Sequence, residues 1–264
     1  MRILFIGDIV GKPGRRAVHE MLPELISRYR IDFVIANGEN AAAGFGITRE
    51  IVEDLFEGRI DVITTGNHVW DKKEILDFID DYESLLRPAN YPGSAPGRGS
   101  VVMPSVNGYH VGVINLMGRV FMHSLECPFR TVEEEIGKIR KRTKIILVDI
   151  HAEATSEKIA MGWFLDGKVT AVVGTHTHVQ TADERVLPGG TAYITDVGMT
   201  GPFDSVIGTR KEIVLERFLT QIPNKFDVAK GDVRLQAVLI DVDEKSGSAL
   251  SIERLSLPLN QQNG

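Results

Sequence analysis

The side chains of this chain that could do chemistry arrive at intervals, each at the end of an apolar run. The run over residues 2–7 passes into Asp8, and that over 32–37 passes into Gly38, Glu39 and Asn40. Residues 61–66 lead to Asn67 and His68, residues 144–150 to His151, and the run through Val172, Val173 and Gly174 to His176 and His178. All of these side chains offer nitrogen or oxygen donors suited to divalent first-row transition metals, and the set is too rich in nitrogen for calcium or magnesium to be first choices. In extended backbone His176 and His178 would project to one side, about 6.5 Å apart. That spacing would let each reach a different ion of a pair about 3.5–4 Å apart. Each residue alone reads more readily as a cap or a polar turn residue. Five successive strand ends carrying such donors point to a shared site, because open α/β sheets bind ligands outside the carboxyl ends of their strands.

The elements that must position these groups are written in the apolar spacing. After Gly11, Pro13 and Gly14 break the chain, Val18, Met21, Leu22, Leu25, Ile26 and Tyr29 recur at helical intervals. Thr48 is a good N-cap for a helix carrying Ile51, Val52, Leu55 and Phe56, and Asp71 with Glu74 predicts a capped helix through Ile75, Phe78 and Ile79. Three βα units in series imply a mostly parallel sheet covered by helices. Residues 87–99, rich in Pro and Gly, predict an irregular loop, and residues 100–103 and 109–116 a hairpin. Over 117–130 the pattern is poor, and Phe121, Met122 and Phe129 fit a substrate lid or an oligomer contact, with an ordinary packed loop as the alternative. Thr131 and Glu134 predict a capping box for a helix reaching Arg142, whose basic end reads as solvated cations at a helix C-terminus rather than a nucleic-acid patch. Helices are further expected over 156–164 and 210–219, a strand over 191–195, an antiparallel hairpin from 235–242 and 250–257, and a disordered tail from Asn260.

The bulk properties narrow the function classes. A formal net charge of −6 on 264 residues argues against a surface built for polymeric nucleic acid. The single cysteine, Cys127, excludes an intramolecular disulfide and a thiolate cluster, and reads as a small buried hydrophobe. The apolar N-terminal run is too short for a signal peptide or a membrane span, so a cytoplasmic protein without membrane attachment is expected. No linker or repeat is evident, and residues 1–264 are expected to form one domain.

The order of motifs resembles the calcineurin-like metallophosphoesterases. Thr65-Gly66-Asn67-His68 matches that family's Gly-Asn-His motif and Gly174-Thr175-His176-Thr177-His178 its Gly-x-His-x-His motif. Two departures, Asp8-Ile9-Val10 in place of Asp-x-His and Gly38-Glu39-Asn40 in place of the Gly-Asp bridge, resemble the YmdB-like branch of the superfamily, as do the openings Gly-Asp-Ile-Val-Gly and Asn-Gly-Glu-Asn-Ala-Ala. The resemblance implies a layered α/β fold with mixed sheets flanked by helices and a metal site at the strand C-terminal ends. It implies one metal on Asp8, Glu39, Asn40 and His178 and a second on Glu39, Asn67, His151 and His176, with iron or manganese the expected ions. His68 is implied to stabilise the transition state and protonate the leaving oxygen.

Two metals lower the pKa of a bridging water and neutralise phosphate oxygens, so phosphoester hydrolysis by a bridging hydroxide is expected. The resemblance implies small phosphodiesters, 2′,3′-cyclic nucleotides in particular, as substrates. The alternatives are a phosphomonoesterase or protein phosphatase, against which stand Val69 and the absence of an arginine-bearing signature after Glu39, and a metal-dependent nucleotide-binding regulator with little turnover. Gln180, Thr200 and Gly201 are expected near the substrate by position alone, and residues around Phe121 and Phe129 fit a homo-oligomer contact.

Overall fold

A computed structural model describes residues 1–259; the tail expected to be disordered lies outside the described residues. The chain runs β1 (Arg2–Ile6), β2 (Asp8–Ile9), α1 (Gly11–Tyr29), β3 (Phe33–Asn37), α2 (Arg49–Glu57), β4 (Val62–Thr64), β5 (Ser100–Pro104), β6 (His110–Met117) and α3 (Pro128–Ile139). It continues through β7 (Ile145–His151), α4 (Thr155–Leu165), β8 (Ala171–Thr175), β9 (Arg185–Val186), β10 (Ala192–Ile194), β11 (Met199–Pro202), α5 (Lys211–Thr220), β12 (Val233–Val242) and β13 (Ala249–Pro258). Strands β1, β3, β7 and β8 are buried on both faces, and their period of two decides which layer each side chain enters. In β1, Ile3 and Phe5 point into a core between two sheets, whereas Leu4 and Ile6 point under α1 and α2. In β7, Ile145 and Leu147 enter the same inter-sheet core from the other side, whereas Ile146, Val148 and Ile150 pack under α3 and α4. The result is four layers, helices outside and sheets within, which is the layered α/β architecture expected. Each fully buried Ile or Phe in the middle layer contributes about 1.5–3 kcal/mol.

The first sheet is mixed. β1, β3 and β4 run parallel, with α1 and α2 as crossovers, and β12 lies antiparallel to β1. β11 continues along the edge of β12 that β1 occupies, pairing at Arg234 and Val233, and holds β2 parallel to itself; β13 takes the other edge. In the second sheet β6, β7, β8 and β10 are parallel, flanked by antiparallel β5 and β9. The carboxyl ends of β1, β3 and β4 in one sheet and of β7 and β8 in the other therefore present Asp8, Glu39, Asn67, His151 and His176 toward one another.

Several local expectations are corrected. Gly11, Pro13 and Gly14 do not interrupt the chain but form the first turns of α1, where Pro13 sacrifices no intrahelical hydrogen bond. Asp71 caps nothing, because its carboxylate is taken by the His68 ring; only two short 3₁₀ turns, Lys73–Asp77 and Ile79–Asp81, follow. The third helix starts at Pro128, three residues before the supposed capping Thr131, with half-buried Cys127 at its N-cap rather than in the core. In the 117–130 segment Phe129 stacks edge-on against Phe164 and Met122 packs against the same core, whereas Phe121 is 89% exposed.

Candidate metal centre

Asp8 sits where β1 hands over to β2 and is fully buried. One carboxylate oxygen, Oδ2, accepts from the backbone N–H of His176 at 3.3 Å; the other, Oδ1, has no hydrogen-bond partner and lies 3.7 Å from His178 Nε2. Glu39, just beyond β3 and also fully buried, accepts from the His68 backbone N–H through Oε2 at 3.0 Å and places Oε1 3.0 Å from His151 Nε2. Asn40 Nδ2 lies 3.3 Å from Glu39 Oε1 and 3.2 Å from His178 Nε2. With the amide in this orientation Asn40 donates, and serving as a metal ligand requires it to turn and present Oδ1. Gly66, at the end of β4, has no room for a side chain: a Cβ there would stand 2.5 Å from Glu39 Oε2 and closer still to His151 Nε2.

Each imidazole is oriented from behind. His151 Nδ1 is 2.9 Å from Thr175 Oγ1, which in turn donates to Asp149 Oδ1 at 2.7 Å, so the hydroxyl must accept from His151 Nδ1–H. His176 Nε2 pairs with Glu153 Oε2 at 3.1 Å, and His178 Nδ1 with the Ile207 carbonyl at 2.9 Å. His68 Nδ1 pairs with Asp71 Oδ2 at 2.8 Å. In all four rings one nitrogen is spent on a backing acceptor and the other is left for the site, which is how metal-ligating and proton-transferring histidines are fixed. The site-facing nitrogens crowd together. His151 Nε2 lies 3.0 Å from each of Glu39 Oε1, Asn67 Oδ1 and His176 Nδ1, and a single hydrogen can satisfy only one of these. A cation among them satisfies all, and the donor atoms of Glu39, His151 and His176 lie within 4.8 Å of one another. Together with the orphaned Asp8 Oδ1, these donors fit metal binding.

The electrostatics run the same way. Burial alone would raise the Asp8 carboxyl, but the His178 ring 3.7 Å away and the charge of His151 outweigh it and hold Asp8 well below the usual carboxylate range. Burial disfavours a charged His178, yet the nearby Asp8 carboxylate and the Ile207 carbonyl hold the ring up at about 9, so a proton competes with a cation for Nε2. His176 is pushed down to about 3, first by burial and then by the charge of His151. Asp149, buried behind Thr175 and Thr64, is pushed up to about 6 by burial.

His176 and His178 do not extend the strand as expected. β8 ends at Thr175, and both histidines have positive φ, 97° and 63°. Such conformations cost on the order of 1–3 kcal/mol each and persist only where surroundings impose them. Here Thr177, between them, is clamped: its N–H and hydroxyl both donate to Asp196 Oδ2, at 3.1 and 2.6 Å. Asp196 is itself paired at 2.7 Å with Lys158 Nζ, and both side chains are fully buried. Sequence reasoning misses Asp149, Thr175, Lys158 and Asp196 as supports of the site. A lone acid within Ile-Ile-Leu-Val-Asp-Ile-His and a lysine one turn before core-facing Met161 are the available signals.

Glu39, Asn40, His68, His176 and His178 line a cleft of about 150 Å³, with Asp8 and His151 buried behind them. Phe45 stands edge-on to His68 at 4.9 Å. Gln180, Thr200 and Gly201 do not line it: Gln180 donates to the carbonyls of Val197, Ala237 and Leu255, Thr200 bonds the Gln236 backbone, and Gly201 packs on Val10.

The sequence profile of the family described as YmdB-like protein matches residues 4–255. A Bacillus subtilis protein named 2′,3′-cyclic-nucleotide 2′-phosphodiesterase is 54% identical over 255 residues, covering 97% of this chain and 96% of that one. The crystal structure of a hypothetical protein from Thermus thermophilus superposes with a TM-score of 0.92 at 43% identity, covering 98% of this chain and all of that one. A structure described as a novel phosphatase from Mycoplasma pneumoniae superposes at 0.91 with 37% identity, over 98% and 93% of the two chains.

Proposed function

This chain belongs to the YmdB-like family, and from that premise we propose that it is a metal-dependent phosphodiesterase acting on small phosphodiesters, 2′,3′-cyclic nucleotides foremost. The observation that carries the reading is the set of four histidines, each tied from behind by Thr175, Glu153, Ile207 or Asp71, with its other nitrogen left for the site that Asp8 and Glu39 share. The relative named as a 2′,3′-cyclic-nucleotide 2′-phosphodiesterase, at 54% identity, supports the substrate class.

In this reading Asp8, Glu39, Asn40 and His178 hold one cation, and Glu39, Asn67, His151 and His176 a second. Two such ions, iron or manganese, would supply the Lewis acidity that activates water and neutralises phosphoryl oxygens. The protein's own groups do the rest. Buried Asp8 and Glu39 bring the negative charge that retains cations. Water adds to phosphorus as the bond to the 2′-oxygen breaks, and His68, held by Asp71 and by Phe45, gives that oxygen the proton it needs, a contribution of about 10²–10⁴-fold. The product is a 3′-phosphomonoester with a free 2′-hydroxyl. The same reading takes the chain as one domain, in the cytoplasm, with Phe121 at the contact of a homo-oligomer. None of the described helices is long and apolar enough to cross a membrane.

Purified protein stripped by chelator should lose hydrolysis of 2′,3′-cyclic AMP and regain it with Mn²⁺ or Fe²⁺; undiminished activity in chelator sinks the reading. His68→Ala should keep its metal by elemental analysis while turnover falls about 10²–10⁴-fold, and metal lost along with activity would make His68 a ligand instead. Faster turnover of p-nitrophenyl phosphate than of bis-p-nitrophenyl phosphate would favour a phosphomonoesterase.

A further inference from the structure

The cleft at the metal centre is about 150 Å³, below the roughly 300–1,000 Å³ of pockets that enclose a whole small ligand. Phe45, Phe226, Asp227 and Val228 line both this cleft and a neighbouring groove of about 740 Å³. Five cations line that groove, Lys12, Arg16, Lys72, Lys225 and Lys230, against one carboxylate, Asp227. Of the five, only Arg16 has an ion-pair partner among the described residues, Glu20 at 3.7 Å. This concentration of positive charge stands on a chain whose net charge is −6.

The wall between cleft and groove is built. Val228 wedges against Gly11 and Gly44, where a Cβ on either would come within 3.1 Å of its methyls. The flanking backbone is pinned by Arg210 N–H to the Asp227 carbonyl and by Ala229 N–H to the Gly208 carbonyl, both at 2.9 Å, and Arg217 lies over the Phe226 ring at 4.9 Å.

A 2′,3′-cyclic mononucleotide carries a single negative charge, which the metal centre would take up, leaving nothing for five cations to neutralise. The cyclic phosphate closes the 3′ end of a ribonucleotide, so any longer substrate can continue only from its 5′ oxygen, one phosphate per added residue. A track of cations interleaved with aromatic faces is how single strands are held without sequence preference. Building on the phosphodiesterase reading above, we propose that the groove binds the 5′ side of an oligoribonucleotide whose 2′,3′-cyclic phosphate end enters the cleft. The chemistry that must supply such ends is RNA cleavage by attack of a 2′-hydroxyl on the neighbouring phosphodiester. Here water adds to phosphorus, the bond to the 2′-oxygen breaks with proton transfer to that oxygen, and the strand leaves with a 3′-phosphate.

The test uses the metal-loaded full chain with three substrates: 2′,3′-cyclic AMP, a synthetic tetranucleotide ending in a 2′,3′-cyclic phosphate, and a 2′,3′-cyclic mononucleotide bearing a 5′-triphosphate. At 50 mM salt kcat/KM for the tetranucleotide should exceed that for cyclic AMP by about tenfold. Neutralising two phosphates predicts about a sevenfold loss of that advantage by 200 mM salt. In Lys12→Ala/Lys225→Ala the ratio of the two kcat/KM values should fall toward one. Equal kcat/KM for the first two substrates overturns the proposal, as does an advantage indifferent to salt and to these lysines. A triphosphate substrate that matches the tetranucleotide overturns the strand in favour of phosphate charge alone. Cyclic AMP turned over without an oligonucleotide advantage defeats only this inference, whereas no turnover of either would defeat the phosphodiesterase reading beneath it.

Discussion

The two sheets deliver their halves of the metal centre by different means. The first supplies Asp8, Glu39 and Asn67 directly after the regular strands β1, β3 and β4, so that strand position alone sets where the oxygens stand. The second supplies His151 from the last position of β7, but His176 and His178 from a positive-φ turn beyond β8 that its own backbone would not adopt unaided. The oxygen donors are thus placed by the sheet, whereas two of the three imidazoles are placed by a buried salt bridge acting through Thr177. A site can be as well ordered on a strained turn as on a strand end, provided something buried enforces it.

The largest effect that would break this comparison is loss of the clamp. Asp196→Ala leaves the Lys158 ammonium buried without its carboxylate, and the expected cost is about 3–5 kcal/mol of stability, read in urea denaturation. The double variant Lys158→Met/Asp196→Ala should regain most of that stability, because no charge is left unpaired. It should not regain metal affinity, since the Thr177 N–H and hydroxyl still lack their acceptor. If the double variant binds metal as tightly as the unaltered protein, the turn does not depend on the clamp.

A smaller effect sharpens the comparison on the strand side. Thr175→Val removes the hydroxyl that passes the His151 Nδ1–H to Asp149, leaving the fold of β8 intact. Second-sphere partners of this kind are worth about 10–100-fold in metal affinity, and a competitive chelator titration would measure it. An unchanged affinity would mean that the His151 ring is held by packing alone.

The same division explains what can be read from the sequence. The apolar runs over β1, β3, β7 and β8 are long and uninterrupted because both faces are covered, so the layered α/β fold and the strand ends carrying Asp8, Glu39, Asn67, His151 and His176 are visible in the one-dimensional pattern. What stays hidden depends on partners distant in the chain. Asp71 looks like a cap until His68 takes its carboxylate, and extended backbone is the natural reading of Gly-Thr-His-Thr-His until Asp196, 19 residues beyond Thr177, seizes the middle residue. Gln180 looks available for substrate because nothing local shows that three backbone carbonyls occupy its amide. Local spacing specifies elements, whereas long-range hydrogen bonds decide which polar side chains remain free for chemistry.

The finest distinction lies between the acceptors behind His151 and His176. Asp149 backs its histidine through a hydroxyl at full burial, whereas Glu153 reaches His176 Nε2 directly at 3.1 Å with its side chain 50% exposed. An exposed pair is worth about 0–1 kcal/mol because water solvates both partners and salt screens them. Glu153→Ala should therefore weaken metal binding by no more than about fivefold, and less again at high salt. His176 would keep its orientation from the clamped turn and need only a water in place of the carboxylate. A loss from Glu153→Ala as large as that from Thr175→Val would show that ring orientation at His176 comes from the carboxylate and not from the backbone.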